Sequence, residues 1–212
     1  MTIRRQGGSG RDASVDLTKD SPDRTVRRPF HWPLEFPEAF LRENGGFDAF
    51  IGNPPFVGGK RISTVSGPAY NDWLVLSHAG SRKNSDLVAH FFRRGWSFLR
   101  QGGCLGFLAT NSIAEGDTRQ GGLEWMLHDG AVIVAAYPNE AWPGRAAVIT
   151  SRVHVHRGKW GGIRRLFDRE VQYISAFLSE GEEWSPKGIA LKRWDGFSGF
   201  NCSWHGFCSN CR

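Results

Sequence analysis

Apolar and polar positions change period along this chain, and the changes mark out strands and helices. Phe47-Asp48-Ala49-Phe50-Ile51 reads as a short, buried strand that stops at Gly52. Leu87, Val88, Phe91, Phe92, Trp96 and Leu99 recur at helical spacing, which predicts a helix over Asp86–Arg100 with Arg93 and Arg94 on its polar face. Ser85 or Asp86 can cap that helix, and Gln101-Gly102-Gly103 can end it. Cys104–Ala109 then reads as a buried strand, with Cys104 as a small core residue, ended by Thr110-Asn111-Ser112. A short helix over Ala69–His78, another over Thr118–Leu127, strands over Ala131–Ala136 and Ala146–His156, and a last helix over Val171–Leu178 complete the pattern. Strand, helix, strand, helix, strand, strand predicts an α/β fold.

The ends depart from this pattern. Residues 1–28 are rich in Gly, Ser, Asp and Arg and poor in large apolar groups, so a disordered, basic segment is expected. Phe30–Phe40 is dense in aromatics and broken by prolines, which predicts a loop and a helical turn packed on the sheet; within it His31 reads as a structural histidine. The tail, 181–212, fits no packed element. Cys202, His205, Cys208 and Cys211 lie there, with spacing that matches no zinc pattern well. Codons compatible with the tail, read one nucleotide on, encode an apolar Gly-rich stretch, so a frameshifted end is the expectation.

Composition narrows the classes. The 212 residues suit one ordinary domain. Four cysteines, three of them among the last eleven residues, make no disulfide framework, and a reducing, cytoplasmic setting is expected. No apolar run reaches the length of a membrane span. The formal charge of +6 and pI of about 9.5 favour an anionic partner, nucleic acid first, although a mildly basic soluble protein fits them equally. His154 and His156 share one strand face without a third ligand nearby, so no metal is expected.

The informative chemistry follows the first strand. Asn53-Pro54-Pro55-Phe56 is a stiff turn, because two prolines fix φ and restrict the residues before them. It presents one planar amide, prolyl carbonyls outside any ladder, and one aromatic face at the carboxyl end of a strand, where open α/β sheets bind ligands. That set suits a flat ring bearing an amino group. Val57-Gly58-Gly59-Lys60-Arg61 reads as a flexible cationic loop beside it, either solvated or touching phosphates through Lys60 and Arg61. Tyr137–Gly144 reads as a loop carrying an exposed Trp142.

Phe47–Phe56, Asp86–Leu99 and Gly102–Ser112 together resemble the catalytic stretches of adenine-specific DNA methyltransferases, and Phe30 to about Leu178 is similar to the large bacterial adenine-N6 enzymes of restriction-modification and phage-defence systems. The resemblance implies a partial Rossmann-like S-adenosylmethionine-dependent methyltransferase fold over residues 29–180, holding the C-terminal half of the sheet. It implies DNA as partner and a flipped adenine as target. By the same resemblance Asn53 and Pro54 accept hydrogen bonds from the adenine amino group, Pro55 stiffens the turn, and Phe56 and Trp142 stack on the base. The family's cofactor turn lies upstream, and Gly7-Gly8-Ser9-Gly10, with no apolar strand before it, does not supply one. The expected object is therefore a truncated fragment that lacks the first strands and most of the S-adenosylmethionine site, with the missing halves of the enzyme encoded nearby. The competing readings are a non-catalytic nucleic-acid-binding remnant and a methyltransferase acting on RNA or a protein amide.

Overall fold

The computed structural model describes residues 30–142 and 148–181; the segment 1–28 and the tail from 182 onward, with its cysteines, lie outside the described residues. The chain enters through two single turns, α1 (Trp32–Glu35) and α2 (Pro37–Phe40), each with a proline in its first turn, where a missing N–H costs no bond. Strand β1 (Phe47–Gly52) follows, then α3 (Gly59–Ser66), α4 (Pro68–Ser77), α5 (Leu87–Phe98) and β2 (Leu99–Thr110). A 3-10 turn, Asn111–Ala114, leads into α6 (Gly116–Arg119), a π turn (Gln120–Glu124) and α7 (Trp125–His128). The last strands are β3 (Ala131–Ala141), β4 (Ile149–Arg157), β5 (Arg164–Leu166) and β6 (Arg169–Val171). No helix among the described residues is long and apolar enough to cross a membrane.

The six strands form one mixed sheet, in the order β1-β2-β4-β3-β5-β6. β1 and β2 are parallel, and β4 is antiparallel to both β2 and β3, so β1, β2 and β3 all point the same way. The expected α/β architecture is present. Leu105, Phe107 and Ala109 of β2, Ile133 of β3, and Val153 and Val155 of β4 alternate toward one core, closed by Val88, Phe92 and Trp96 of α5 and by Leu123 and Met126. The helical segment approaches α5 closely because of glycines. A Cβ at Gly122 would lie 3.1 Å from Ala89 Cβ, and one at Gly121 would lie 3.0 Å from Ser81 Oγ.

Several elements differ from their sequence reading. β1 is the sheet's edge among the described residues, so it is not buried: Phe47 and Phe50 are half-buried under an aromatic cluster with Trp32, while Ile51 is 91% exposed. Helix α5 ends at Phe98, and the chain passes straight into β2 in extended geometry at Leu99. Gly102 takes its positive φ of 76° within β2, beside the irregular register between Phe47 and Ala49, and ends no helix. On α5 the expected faces exchange two members. Phe91 is exposed, while Arg93 is only 5% exposed, because its guanidinium lies over the Trp125 ring and donates to the carbonyls of Ala79 and Gly121. Residues 59–61 begin α3 and are not a loop. Cys104 is exposed on the sheet face away from α5, 3.5 Å from His156 Nδ1. β3 runs on to Ala141, so most of the expected loop is strand paired with β4. The stretch expected as a last helix begins in β6 and turns back through a bridge between Ile174 and Glu180. His31 is exposed, and its backbone carbonyl takes the first bonds of α1.

A buried carboxylate joins α5 to the carboxyl edge of the sheet. Asp86 caps α5, accepting from Val88 N at 3.0 Å, and its other oxygen accepts from Ser112 Oγ at 3.3 Å, just past β2. Its own backbone N–H donates to Thr118 Oγ1 at 3.0 Å. Asp86→Ala removes a cap and the bond that ties it to Ser112, so unfolding free energy should fall by about 2 kcal/mol in chemical denaturation; Asp86→Asn should lose roughly half as much.

His78 and His90 meet between α4 and α5, Nδ1 to Nδ1 at 3.0 Å. Burial holds both imidazoles down from 6.5 to about 4, with Arg93 adding to the effect. Between these values the unfolded chain binds protons that the folded chain refuses, so stability falls as pH drops from 6.5 to about 4. Urea midpoints measured across that window should decline, and His78→Phe should flatten the decline.

Candidate active site

The three parallel strands deliver their carboxyl ends to one edge of the sheet. β1 opens there into Asn53-Pro54-Pro55-Phe56, β2 into Asn111-Ser112, and β3 into Trp142. The turn after β1 is held at both ends. Before it, Phe50 and Gly52 are in register with Leu105 and Phe107. After it, the Val57 carbonyl accepts Leu87 N–H at 3.0 Å, and Val57 packs against the cluster of Ile62, Leu74 and Leu87. Gly59 then passes so close to Asn84 that a Cβ would lie 2.2 Å from its backbone. Only a glycine allows that approach, and it brings the start of α3 against the turn preceding α5.

Within the turn, Pro54 is buried, Asn53 and Pro55 are exposed, and Phe56 is half-buried. Asn53, Pro54 and Pro55 form one wall of a hollow of about 290 Å³ between β1 and α5. Trp32, Phe50, Phe98 and Phe107 complete an apolar lining, and Arg94 of α5 stands at it with its guanidinium 4.2 Å from the Phe98 ring centre. Lys60 and Arg61 are exposed on the first turn of α3, four and five residues beyond Phe56. Trp142 is 39% exposed, and its backbone N–H donates to the Val148 carbonyl at 3.0 Å. β2 and β4 lie between β1 and β3, so Trp142 and Asn53 leave the edge about 14 Å apart, three strand spacings.

Charges near this edge are mostly paired. Arg152 makes two bonds to Glu140, at 2.6 and 2.8 Å, and holds that carboxyl below its usual range. Arg82 pairs with Asp117 at 3.0 Å, and Lys83 with Asp72 at 2.6 Å. At the opposite end of β1, Arg100 and Arg42 both bond Asp48, at 2.6 and 3.0 Å, and lower its carboxyl in that order of importance. Among the described residues no three His, Cys, Asp or Glu side chains converge on a metal position.

The turn after β1 was legible in the sequence. Sequence reasoning missed the hollow beneath the turn, Arg94 as one of its walls, and the bond from Asp86 to Ser112. Asp86 was legible only as a cap, since the reach from a helix start to the end of the next strand depends on packing.

A search by sequence finds no matching curated protein. Among solved structures, the type IIL restriction-modification enzyme MmeI, in complex with DNA, superposes with a TM-score of 0.52 at 20% identity, over 64% of this chain and 20% of that one. The chain thus spans about a fifth of MmeI's length, and the likeness is one of fold. Weaker matches include a putative class I S-adenosylmethionine-dependent methyltransferase from Listeria monocytogenes, with a TM-score of 0.39 at 12% identity over 55% of this chain and 33% of that one. The sequence profile of the Eco57I restriction-modification methylases matches residues 6–138, well over half of the chain and including the whole Asn53–Phe56 turn. This chain belongs to the Eco57I family of restriction-modification methylases.

Proposed function

We propose that the chain carries the base-accepting half of a DNA adenine-N6 methyltransferase whose methyl donor is S-adenosylmethionine. The observation that carries this reading is the Asn53-Pro54-Pro55-Phe56 turn, anchored at both ends on the carboxyl edge of a parallel strand pair. The adenine amino group lies within the base stack of duplex DNA, so the base must be flipped out to reach such a turn. Its nitrogen is a poor nucleophile because the lone pair is delocalised into the ring. The Asn53 side-chain carbonyl and the Pro54 backbone carbonyl each accept one amino hydrogen, which favours the pyramidal nitrogen of the transition state through dipoles already in place. Phe56 stacks on one face of the base. Trp142, leaving the same edge, is the second stacking ring, and Lys60 and Arg61 take flanking phosphates. DNA as the partner is supported by the likeness to MmeI, which was solved on DNA. The catalytic unit is residues 29–180, incomplete on the free side of β1.

The donor is the weaker part of the fit. A nucleoside needs acceptors for its ribose hydroxyls as well as apolar walls, and the hollow beside Asn53 has apolar walls, one amide and one guanidinium but no carboxylate. The described residues do not complete a donor site, so a further polypeptide segment, such as another part of the enzyme encoded nearby, is expected to supply it. The same gap favours the second reading, a nucleic-acid-binding remnant without catalysis.

With that segment supplied, labelled methyl should pass to DNA, and Asn53→Ala should abolish the transfer. Phe56→Ala should lower it by about ten- to a hundredfold, the range of one lost stacking contact. Isothermal titration of the chain alone should give no micromolar binding of S-adenosylmethionine. Micromolar binding would show a complete donor site and overturn the half-site reading.

A further inference from the structure

The two edges of the sheet are guarded differently. β6, at one end, has three residues, and two of them, Arg169 and Glu170, are charged. A short, charged strand resists pairing with another chain. β1, at the other end, has six residues, and the extra residues at its irregular register lie on β2, so its own course is regular. Its one charge, Asp48, is neutralised by Arg42 and Arg100. Among the described residues no backbone hydrogen bond from outside the β1–β2 ladder reaches Phe47–Gly52. Ile51 stands on this strand 91% exposed, and Phe91 of α5, 39% exposed, borders the hollow beside Phe50. An unguarded ladder edge thus adjoins apolar surface, the combination found at docking sites.

Charge selects the occupant. Glu35 of α1, Glu38 of α2 and Glu43 beyond it are exposed, and none has an ion pair among the described residues. This acidic stretch lies toward the start of β1: Phe36 and Phe40 pack on Phe47, and Gly46 N–H donates to the Ala39 carbonyl at 2.8 Å. Arg94 lies toward the end of β1. It shares the hollow with Asn53, and the adjoining Gly95 backs onto Leu105 and Phe107, the register partners of Phe50 and Gly52. Arg94 is exposed and, among the described residues, has no carboxylate partner. The free edge is therefore acidic beside its start and basic beside its end.

An antiparallel copy of the same edge sets each acidic end against a basic one. Two identical edges related by a two-fold axis must run antiparallel, because in a parallel pair donors would meet donors. We propose that β1 pairs antiparallel with β1 of a second copy of this chain, joining two sheets into one, with Arg94 of each copy toward the glutamates of the other. A register centred on Phe50 sets Ile51 of each copy opposite Ala49 of the other and Asp48 opposite Gly52, so no like charges face each other in the ladder. The pairing does not need the chemistry proposed for the turn. It rests on that reading only for its consequence. The second copy takes the free side of β1, where the catalytic unit is incomplete, so self-pairing and completion of the donor site exclude one another.

The test is sedimentation velocity of the full chain over a range of concentrations, with reductant present so that cysteines cannot crosslink copies. A monomer–dimer equilibrium is expected, and amide exchange along Phe47–Gly52 should slow as the dimer fills. Ile51→Lys puts a charge into the ladder twice and should weaken the dimer about tenfold or more. The position is 91% exposed, so this variant should unfold at the wild-type midpoint. Arg94→Glu should weaken association, as should Glu38→Lys combined with Glu43→Lys. An equimolar mixture of these two variants should recover it, because every contact then joins opposite charges. A monomer at every concentration assigns the edge to a different polypeptide and overturns the proposal. So does a dimer in which β1 exchanges as fast as in the monomer, one that Ile51→Lys leaves intact, or a mixture that recovers nothing. Neither DNA nor methyl donor is present, so failure here leaves the proposed function standing, and an inactive completed enzyme leaves the dimer standing.

Discussion

The carboxyl edge of the sheet depends on Asp86. One buried side chain starts α5, reaches the residue group after β2, and receives support from α6 through its own backbone N–H. Ser85, fully buried beside it, adds a bond from its hydroxyl to the Asp117 carbonyl. Leu87, the next residue but one, holds the Val57 carbonyl. Over three consecutive positions, therefore, the head of one helix sets the places of the loops following β1 and β2. The function proposed for the turn after β1 would benefit from such bracing, because small displacements are costly to reactions that rely on positioning.

Much of this architecture was legible because strong periods survive packing. The α5 stripe of Val88, Phe92 and Trp96 is buried as its spacing demands, and the turn chemistry of Asn-Pro-Pro-Phe needs no tertiary information. The failures share a physical cause. Arg93 reads as a surface residue until Trp125 and two carbonyls, supplied by distant segments, satisfy its guanidinium. Cys104 reads as core, yet among the described residues it is exposed on the sheet face away from α5. Tyr137–Ala141 contains a proline and polar residues, yet it becomes strand because β4 is present to pair with it. At the site, the residues of the turn were visible in the sequence, whereas its hollow belongs to no single stretch. It is assembled from α1, β1, β2 and α5.

The two faces of α5 do different work. The inner face builds the core, and the outer face, through Phe91 and Arg94, borders both the hollow beneath the turn and a smaller one between α4 and α5. A change of side chain on that outer ridge is therefore felt on two sides at once.

The free edge of β1 has a kinetic consequence. Strands β2, β3 and β4 come from one continuous stretch, 99–157, and pair with one another. β1 joins them on one side only, and its outward amides point away from any strand described. Local opening needs only that one ladder to part, so amide exchange with solvent should be faster along β1 than in the β2–β4 pair. The strand that opens into the Asn53–Phe56 turn is thus held to the sheet by a single ladder, and any chain that pairs with its outer side would slow that exchange directly.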